Sequence, residues 1–142
     1  MSEGNVEIVR SYLNAVNAFM RGELTSDDFG ELLDPEIEVQ VLDPREGVPD
    51  LTQHVRGIPE KMRIWEQFRS AWTDLVSEPS EVVEGPDNRV LTVIRQSGRG
   101  RESGIPIAFH FFLVFTLRDG KVSKEALFRH RADALEAAGL SE

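Results

Sequence analysis

The chain has 142 residues, of which 40% are hydrophobic and 29% charged, and this usage predicts a single globular domain over residues 1–142. Sixteen Lys and Arg oppose 25 Asp and Glu, and the net charge of -9 argues against nucleic-acid and membrane-surface partners. Cysteine is absent, which excludes disulfides, thiolate zinc sites and cysteine nucleophiles. Because the sequence has no long apolar run and no signal-peptide pattern, we expect a cytoplasmic protein.

The first part of the chain predicts two helices and a strand. Apolar residues at helical spacing indicate a helix over residues 6–20, which Gly22 ends. A capping-box pattern predicts a short second helix over residues 25–33, and Pro35 stops it. Residues 36–42 alternate between apolar and polar side chains, which is typical of a half-buried strand.

A loop, a third helix and a series of strands follow. Residues 43–55 are rich in turn formers and predict an irregular loop. A helix begins near Pro59, and its apolar spacing continues to Trp72. Strands are predicted at residues 76–84, 89–96, 105–117 and 122–130, and a last short helix at residues 132–138.

This order of elements predicts an α+β fold. Consecutive strands joined by short turns form an antiparallel sheet, and we expect the helices to collect on one face of it. The sheet must curl to close over helices of unequal length. The space between its concave face and the helices is then a natural pocket for a small molecule.

Several aromatic residues and one histidine are candidates for that pocket. Tyr12 on the first helix and Trp65 and Phe68 on the third lie on apolar stripes, which pack a core or also roof a cavity. His110 lies in an aromatic strand where both faces should be apolar, and Phe112 shares its face. A buried imidazole needs a hydrogen-bond partner, so His110 is either a satisfied core or interface residue or a ligand contact.

The remaining polar candidates also have two interpretations each. Arg95 lies in an apolar strand, where it is either exposed on the convex face or buried beside a carboxylate or a ligand anion. His130, near the end of the last predicted strand, is either exposed to solvent or a proton-transfer group. The three histidines lack metal-binding spacing, so no metal site is predicted. The Gly98–Gly100 stretch lacks the dinucleotide fingerprint, and no cofactor is predicted.

Three motifs in sequence order resemble the SnoaL-like branch of the nuclear-transport-factor-like superfamily. They are Gly57-Ile58 before a helix, residues 98–106 before an aromatic strand, and residues 117–122 followed by residues 134–140 at the end. The resemblance implies a cone-shaped, cystatin-like fold with a pocket under the helices and a homodimer through the outer sheet face. The superfamily includes ketosteroid isomerases, polyketide cyclases, epoxide hydrolases, dehydratases and binding proteins, so the fold leaves the activity open.

The catalytic residues of these relatives match this sequence only in part. Ketosteroid isomerases carry a general-base aspartate on the first strand, at the position that Gln40 occupies in this sequence. An alignment shifted by three residues places Asp43 at that position instead. Glutamine cannot act as a base at neutral pH, which weakens the isomerase hypothesis. Polyketide cyclases carry an acidic residue near the end of the last strand, the region of His130 in this chain.

Three functional hypotheses follow. The first is a protein that binds a small apolar molecule of steroid or polyketide size. The second is a cofactor-independent isomerase, cyclase or hydrolase with His110, His130 or Asp43 as acid or base, and the third is an interaction module that uses the sheet face. The predicted ligand-binding residues are Tyr12, Gln40, Trp65, Phe68, Arg95, Phe112 and Phe128.

Overall fold

Helices and strands follow one another largely in the predicted order. The computed structural model describes residues 2–41 and 54–141, with the side chains of residues 2, 3, 41 and 68 outside that description. The helices are α1 Ser2–Met20, α2 Ile58–Ala71 and α3 Arg131–Ala138, with a 3-10 helix at Ser26–Phe29. The strands are β1 Leu33–Val41, β2 His54–Arg56, β3 Trp72–Glu84, β4 Arg89–Gly100, β5 Pro106–Arg118 and β6 Lys121–Phe128. Within these ranges, no helix is long and apolar enough to cross a lipid bilayer.

The six described strands form one curled sheet in the order β2-β1-β6-β5-β4-β3. Strands β3 to β6 are antiparallel neighbours in chain order, as the short turns predict. The β5–β6 turn has positive φ angles at both Asp119 (53°) and Gly120 (77°), the geometry of a tight hairpin turn. The predicted α+β class is therefore confirmed.

Strand β1 differs from the prediction of a wholly antiparallel sheet. It pairs with β2 antiparallel but lies parallel to β6, with Leu33 opposite Val122. No hairpin joins β1 to β6, so the direction of this pair is free of the constraint that makes the other neighbours antiparallel. Strand β2 is a further difference, because it lies at the end of the stretch predicted as loop and adds an edge strand beside β1.

The second predicted helix is shorter than expected. Only Ser26–Phe29 is helical, and β1 begins at Leu33 and continues through Pro35. Strand β2 first meets β1 at Glu38, and the β1–β6 register is irregular between Leu33 and Glu38. Pro35 therefore lies where the ladder is interrupted, a position at which a strand tolerates proline.

The sheet separates two apolar clusters, which define its faces. Helices α1 and α2 cover the inner face, where buried side chains such as Ile94, Leu113 and Phe115 form the larger core with the helices. Helix α3 packs on the opposite, outer face, against a smaller cluster that includes Leu91 and Val114. The expectation that all helices share one face is therefore wrong for α3, because the chain crosses to the outer face after β6.

One side chain connects α1 to β3 by two hydrogen bonds. The Asn17 amide donates to the Ser77 carbonyl oxygen, and the Ser77 N–H donates to the Asn17 Oδ1 atom, both at 2.9 Å. Ser77 lies just after an irregularity in the β3–β4 register, and its backbone groups are satisfied by the helix instead. This contact fixes α1 over the inner face and so positions the site described below.

We expect Asn17→Ala to lower the free energy of unfolding by about 1–3 kcal/mol, because it leaves two backbone groups of the buried Ser77 without partners. Asn14→Ala is the matched control: Asn14 is exposed on the same helix, and alanine favours helix there. Urea unfolding of both variants measures the difference. Equal stability of the two variants would contradict the proposed role of Asn17.

Candidate functional site

Three polar side chains meet inside the otherwise apolar core of the inner face. The Tyr12 hydroxyl donates to Glu125 Oε1 at 2.8 Å, and the Lys61 ammonium donates to Glu125 Oε2 at 2.8 Å. Tyr12 and Lys61 are each 1% exposed and Glu125 is 9% exposed. We call Tyr12, Lys61 and Glu125 the inner triad.

Local periodicity places each member of the triad. Tyr12 lies on the buried stripe of α1, and Lys61 is one turn before the buried Trp65 on α2. On β6, Ala126 belongs to the outer cluster, so strand alternation turns Glu125 to the inner face. There Glu125 lies directly opposite Phe115 of β5.

Aromatic rings surround the triad. The Lys61 Nζ atom is 4.3 Å from the centre of the Trp65 ring, within the range of a cation–π interaction. Tyr12 makes an edge-to-face contact with Phe115 at 5.6 Å between ring centres. The Trp65 ring also packs against Phe19 and Phe29, with ring centres 5.9 and 5.2 Å apart. The rings exclude water and strengthen the electrostatic interactions inside the triad.

Burial and charge act differently on the two donors. Burial lowers the pKa of Lys61, and the adjacent Glu125 carboxylate opposes this shift. Burial raises the pKa of Tyr12 well above the usual tyrosine value, and the negative charge of Glu125 raises it further. Since both carboxylate oxygens accept hydrogen bonds, the triad presents a proton acceptor held between two proton donors.

The structure brings together only part of the predicted ligand-binding set. Tyr12 and Trp65 lie in the inner core, with ring centres 5.9 Å apart. Residue Asp43 and the side chain of Phe68 lie outside the described part of the chain. Gln40 is half-buried and lies beside Ala126, which places it on the outer face and away from the triad.

The other candidates also lie away from the inner triad. His110 is exposed opposite Arg95 on the outer face, since the inner positions of β5 are Phe111, Leu113 and Phe115. It is thus neither buried in the core of the chain nor directed toward the space under α1 and α2, while an interface role stays a prediction. The structure therefore does not bring His110 together with Trp65, because alternate residues of a strand face opposite sides of the sheet.

The remaining outer-face candidates belong to the environment of α3. Phe112 and Phe128 are opposite each other and pack in the α3 cluster. His130 is the exposed N-cap residue of α3. A homodimer through this face stays a prediction of the family resemblance.

The sequence analysis missed two members of the triad, although both left a signal. Lys61 lies between Ile58 and Met62 on the apolar stripe of α2, four residues before Trp65. Glu125 is the acidic residue of the last strand, on the face opposite the apolar Ala126. Glu125 lies inside β6, whereas the predicted residue of that region, His130, lies beyond the end of the strand as the N-cap of α3.

Two open depressions are described on the surface, and neither includes the triad. One, of about 410 Å³, is lined by Arg95, Pro106 and neighbouring residues of β3, β4 and β5. The other, of about 400 Å³, has charged walls that include Glu38, Arg56 and Arg118. Among the described residues, no group of three or more His, Asp or Glu side chains could hold a metal ion.

Tyr12 is the single tyrosine of the sequence, so its ionisation can be measured directly. We expect tyrosinate absorbance to appear near pH 10 in the unfolded chain and only at clearly higher pH in the folded protein. Since the folded state retains a proton that the unfolded state releases, stability should fall as pH rises above about 10. Titration of the folded protein at the ordinary tyrosine pKa would contradict the burial of Tyr12 beside a carboxylate.

The buried ion pair should show strong coupling. We expect Lys61→Met to lower the free energy of unfolding by about 3–5 kcal/mol, because it leaves the buried Glu125 carboxyl group without its cation. The variant with Lys61→Met, Glu125→Leu and Tyr12→Phe together should regain most of that loss. Denaturant unfolding measures both, and a triple variant as unstable as Lys61→Met would contradict the coupling.

A surface pair provides the control for this cycle. Glu81 and Arg131 form an ion pair in which both side chains are more than two-fifths exposed. Glu81→Gln should change the free energy of unfolding by less than about 1 kcal/mol, because solvent screens the pair.

Comparisons with known proteins give the same fold. No curated protein sequence matches the chain. A polyketide cyclase-like protein of the SnoaL type from Jannaschia sp. CCS1 superposes with a TM-score of 0.73 and 19% identity, over 100% of this chain and 96% of that one. A protein with a ketosteroid isomerase-like fold from Catenulispora acidiphila DSM 44928, in complex with trimethylamine, superposes with a TM-score of 0.69 and 12% identity. The match covers 95% of this chain and 94% of that one.

A protein described as a polyketide cyclase, from Sinorhizobium meliloti, is 24% identical with a TM-score of 0.62, over 86% of this chain and 94% of that one. At these identities the structural likeness establishes the fold and leaves the activity open. The family model of the SnoaL-like domain matches residues 9–125, a range that contains the whole inner triad. The chain therefore belongs to the SnoaL-like domain family.

Proposed function

We propose that this protein binds a small, largely apolar molecule between the inner face of the sheet and helices α1 and α2, with the inner triad as its polar contact. The observation that carries this proposal is the Lys61–Glu125 ion pair, which is buried among aromatic rings. Buried ion pairs contribute little net stability compared with apolar residues of the same shape. A role in ligand recognition accounts for charges at this position.

The composition of the inner core supports a ligand with one polar group. Tyr12, Trp65 and Phe115 provide flat apolar contacts, and Glu125 provides a strong hydrogen-bond acceptor. Binding sites for small molecules commonly combine apolar walls with a few placed polar groups. Two of the neighbouring structures carry the name polyketide cyclase, which supports a polyketide-like ligand for this site.

Ligand entry is proposed along the inner face of β5. Beyond the buried Leu113, the rings of Phe111 and Phe109 are half-buried, with centres 5.8 Å apart. They continue the inner row of side chains away from the triad toward the β4–β5 turn. Because Trp65 fills the space beside Lys61, entry displaces its ring.

Acid–base catalysis is the second candidate, favoured by the pairing inside the triad. Glu125 could accept a proton from carbon beside a carbonyl group, and the Lys61 ammonium could stabilise the resulting negative charge. This candidate corresponds to a cofactor-independent isomerase or cyclase, with Glu125 in the role that the sequence analysis gave to histidine or aspartate.

Titration with 2-naphthol, followed by amide NMR shifts and tryptophan fluorescence, tests the binding proposal. We expect shifts along α1, α2 and the inner positions of β5, and weaker binding of 2-methoxynaphthalene, which cannot donate a hydrogen bond to Glu125. Glu125→Gln should weaken 2-naphthol binding about tenfold to a hundredfold, as for loss of a hydrogen bond to a charged group. Glu81→Gln, in an exposed ion pair, should leave the affinity unchanged.

A second variant keeps the test informative if Glu125→Gln unfolds. Tyr12→Phe retains the ring and frees Glu125 Oε1, so it should bind 2-naphthol at least as tightly as the unmodified chain. Shifts confined to the two surface depressions, or equal affinity for both naphthalene compounds, would contradict the proposal.

A further inference from the structure

The choice of cation in the triad is unusual for this chain. The sequence contains thirteen arginines and only three lysines, at positions 61, 121 and 124. The described ion pairs near the surface use arginine or histidine, whereas the buried pair uses lysine. Arginine stays charged in almost every environment, while a buried lysine can lose its proton and become a nucleophile.

The geometry around Lys61 suits an amine that reacts. Its Nζ atom is 2.8 Å from Glu125 Oε2 and lies over the Trp65 ring, and Glu125 is its one ion-pair partner in the described chain. Burial lowers the pKa of Lys61, which reduces the cost of forming the neutral amine. The Glu125 carboxylate is placed to receive the proton that leaves, and the Tyr12 hydroxyl lies on its other oxygen.

We propose that the Lys61 amine forms an imine with the carbonyl group of an aldehyde or ketone bound in the inner core. This inference rests on the proposed function and names the substrate class of the same site. It also explains why a lysine, rather than an arginine, is the partner of Glu125.

The step balances with the groups present. Glu125 takes one proton from the Lys61 ammonium, the nitrogen lone pair forms a bond to the carbonyl carbon, and a proton passes from nitrogen to oxygen to give a carbinolamine. Glu125 then returns its proton to the hydroxyl group, the carbon–oxygen bond breaks and water leaves. The product is a protonated imine whose positive charge pairs with the Glu125 carboxylate, as the ammonium did.

Reductive trapping tests this inference. The full chain is incubated with 2-naphthaldehyde and sodium cyanoborohydride, and the products are analysed by intact mass and peptide mapping. We expect a mass increase of one aldehyde less one oxygen atom, located on Lys61 and formed faster than on Lys121, Lys124 or the terminal amine. Lys61→Met should abolish this adduct, and the double variant Lys121→Arg, Lys124→Arg should retain it.

A substitution of Glu125, the proposed proton acceptor, tests whether this residue promotes imine formation at Lys61 or merely lies beside it. Glu125→Gln should slow the labelling of Lys61 about a hundredfold, as for loss of a general acid–base group. If Lys61→Met fails to fold, peptide mapping of the labelled chain without substitutions still shows which lysine carries the adduct.

Binding without trapping distinguishes the two proposals. If 2-naphthol and 2-naphthaldehyde both shift the inner-core amides but Lys61 is not labelled, the imine is overturned and the binding proposal stands. Labelling confined to the two other lysines and the terminal amine also overturns the imine. If neither compound binds the inner core and Lys61 is not labelled, both proposals fail.

Discussion

The hydrogen-bonded ion pair between Lys61 and Glu125 is the constraint on which the arrangement of the inner core depends. Lys61 and Glu125 are 64 residues apart in sequence. Tyr12, which donates a hydrogen bond to Glu125, is 113 residues from it. A charge buried without its partner is costly, so α1, α2 and β6 must meet in one relative position. The aromatic packing around the triad is less selective, because rings accommodate several arrangements at similar energy.

The sheet gives neighbouring residues different environments. On β6, Glu125 contacts the helices of the inner face and Ala126 packs in the α3 cluster on the outer face. On β5, Phe111 faces the inner core, whereas His110 is exposed on the other side. Any functional assignment on these strands therefore depends on parity, and an error of one residue exchanges the two faces.

Sequence alone was sufficient for most elements and insufficient for the site. Apolar periodicity located α1 and α2, and with them Tyr12 and Trp65, because a helix stripe identifies a buried face without reference to distant residues. It did not identify Lys61 or Glu125, because charged residues are ordinarily exposed and their burial depends on a partner far away in sequence. The parallel pairing of β1 with β6 was missed for the same reason, since no local pattern encodes it.

The position of β1 between β2 and β6 bears on how the chain is made. During synthesis from the N-terminus, β1 leaves the ribosome long before β6, yet its pairing joins Leu33 to Val122. Helix α1 likewise carries Tyr12, whose carboxylate partner belongs to the same late strand. Until β6 has emerged, one edge of β1 and the hydroxyl of Tyr12 lack their native partners, and a chain truncated before that strand lacks the group that neutralises Lys61. Such long-range pairing is typical of slow folding, and it makes completion of the inner core a late event.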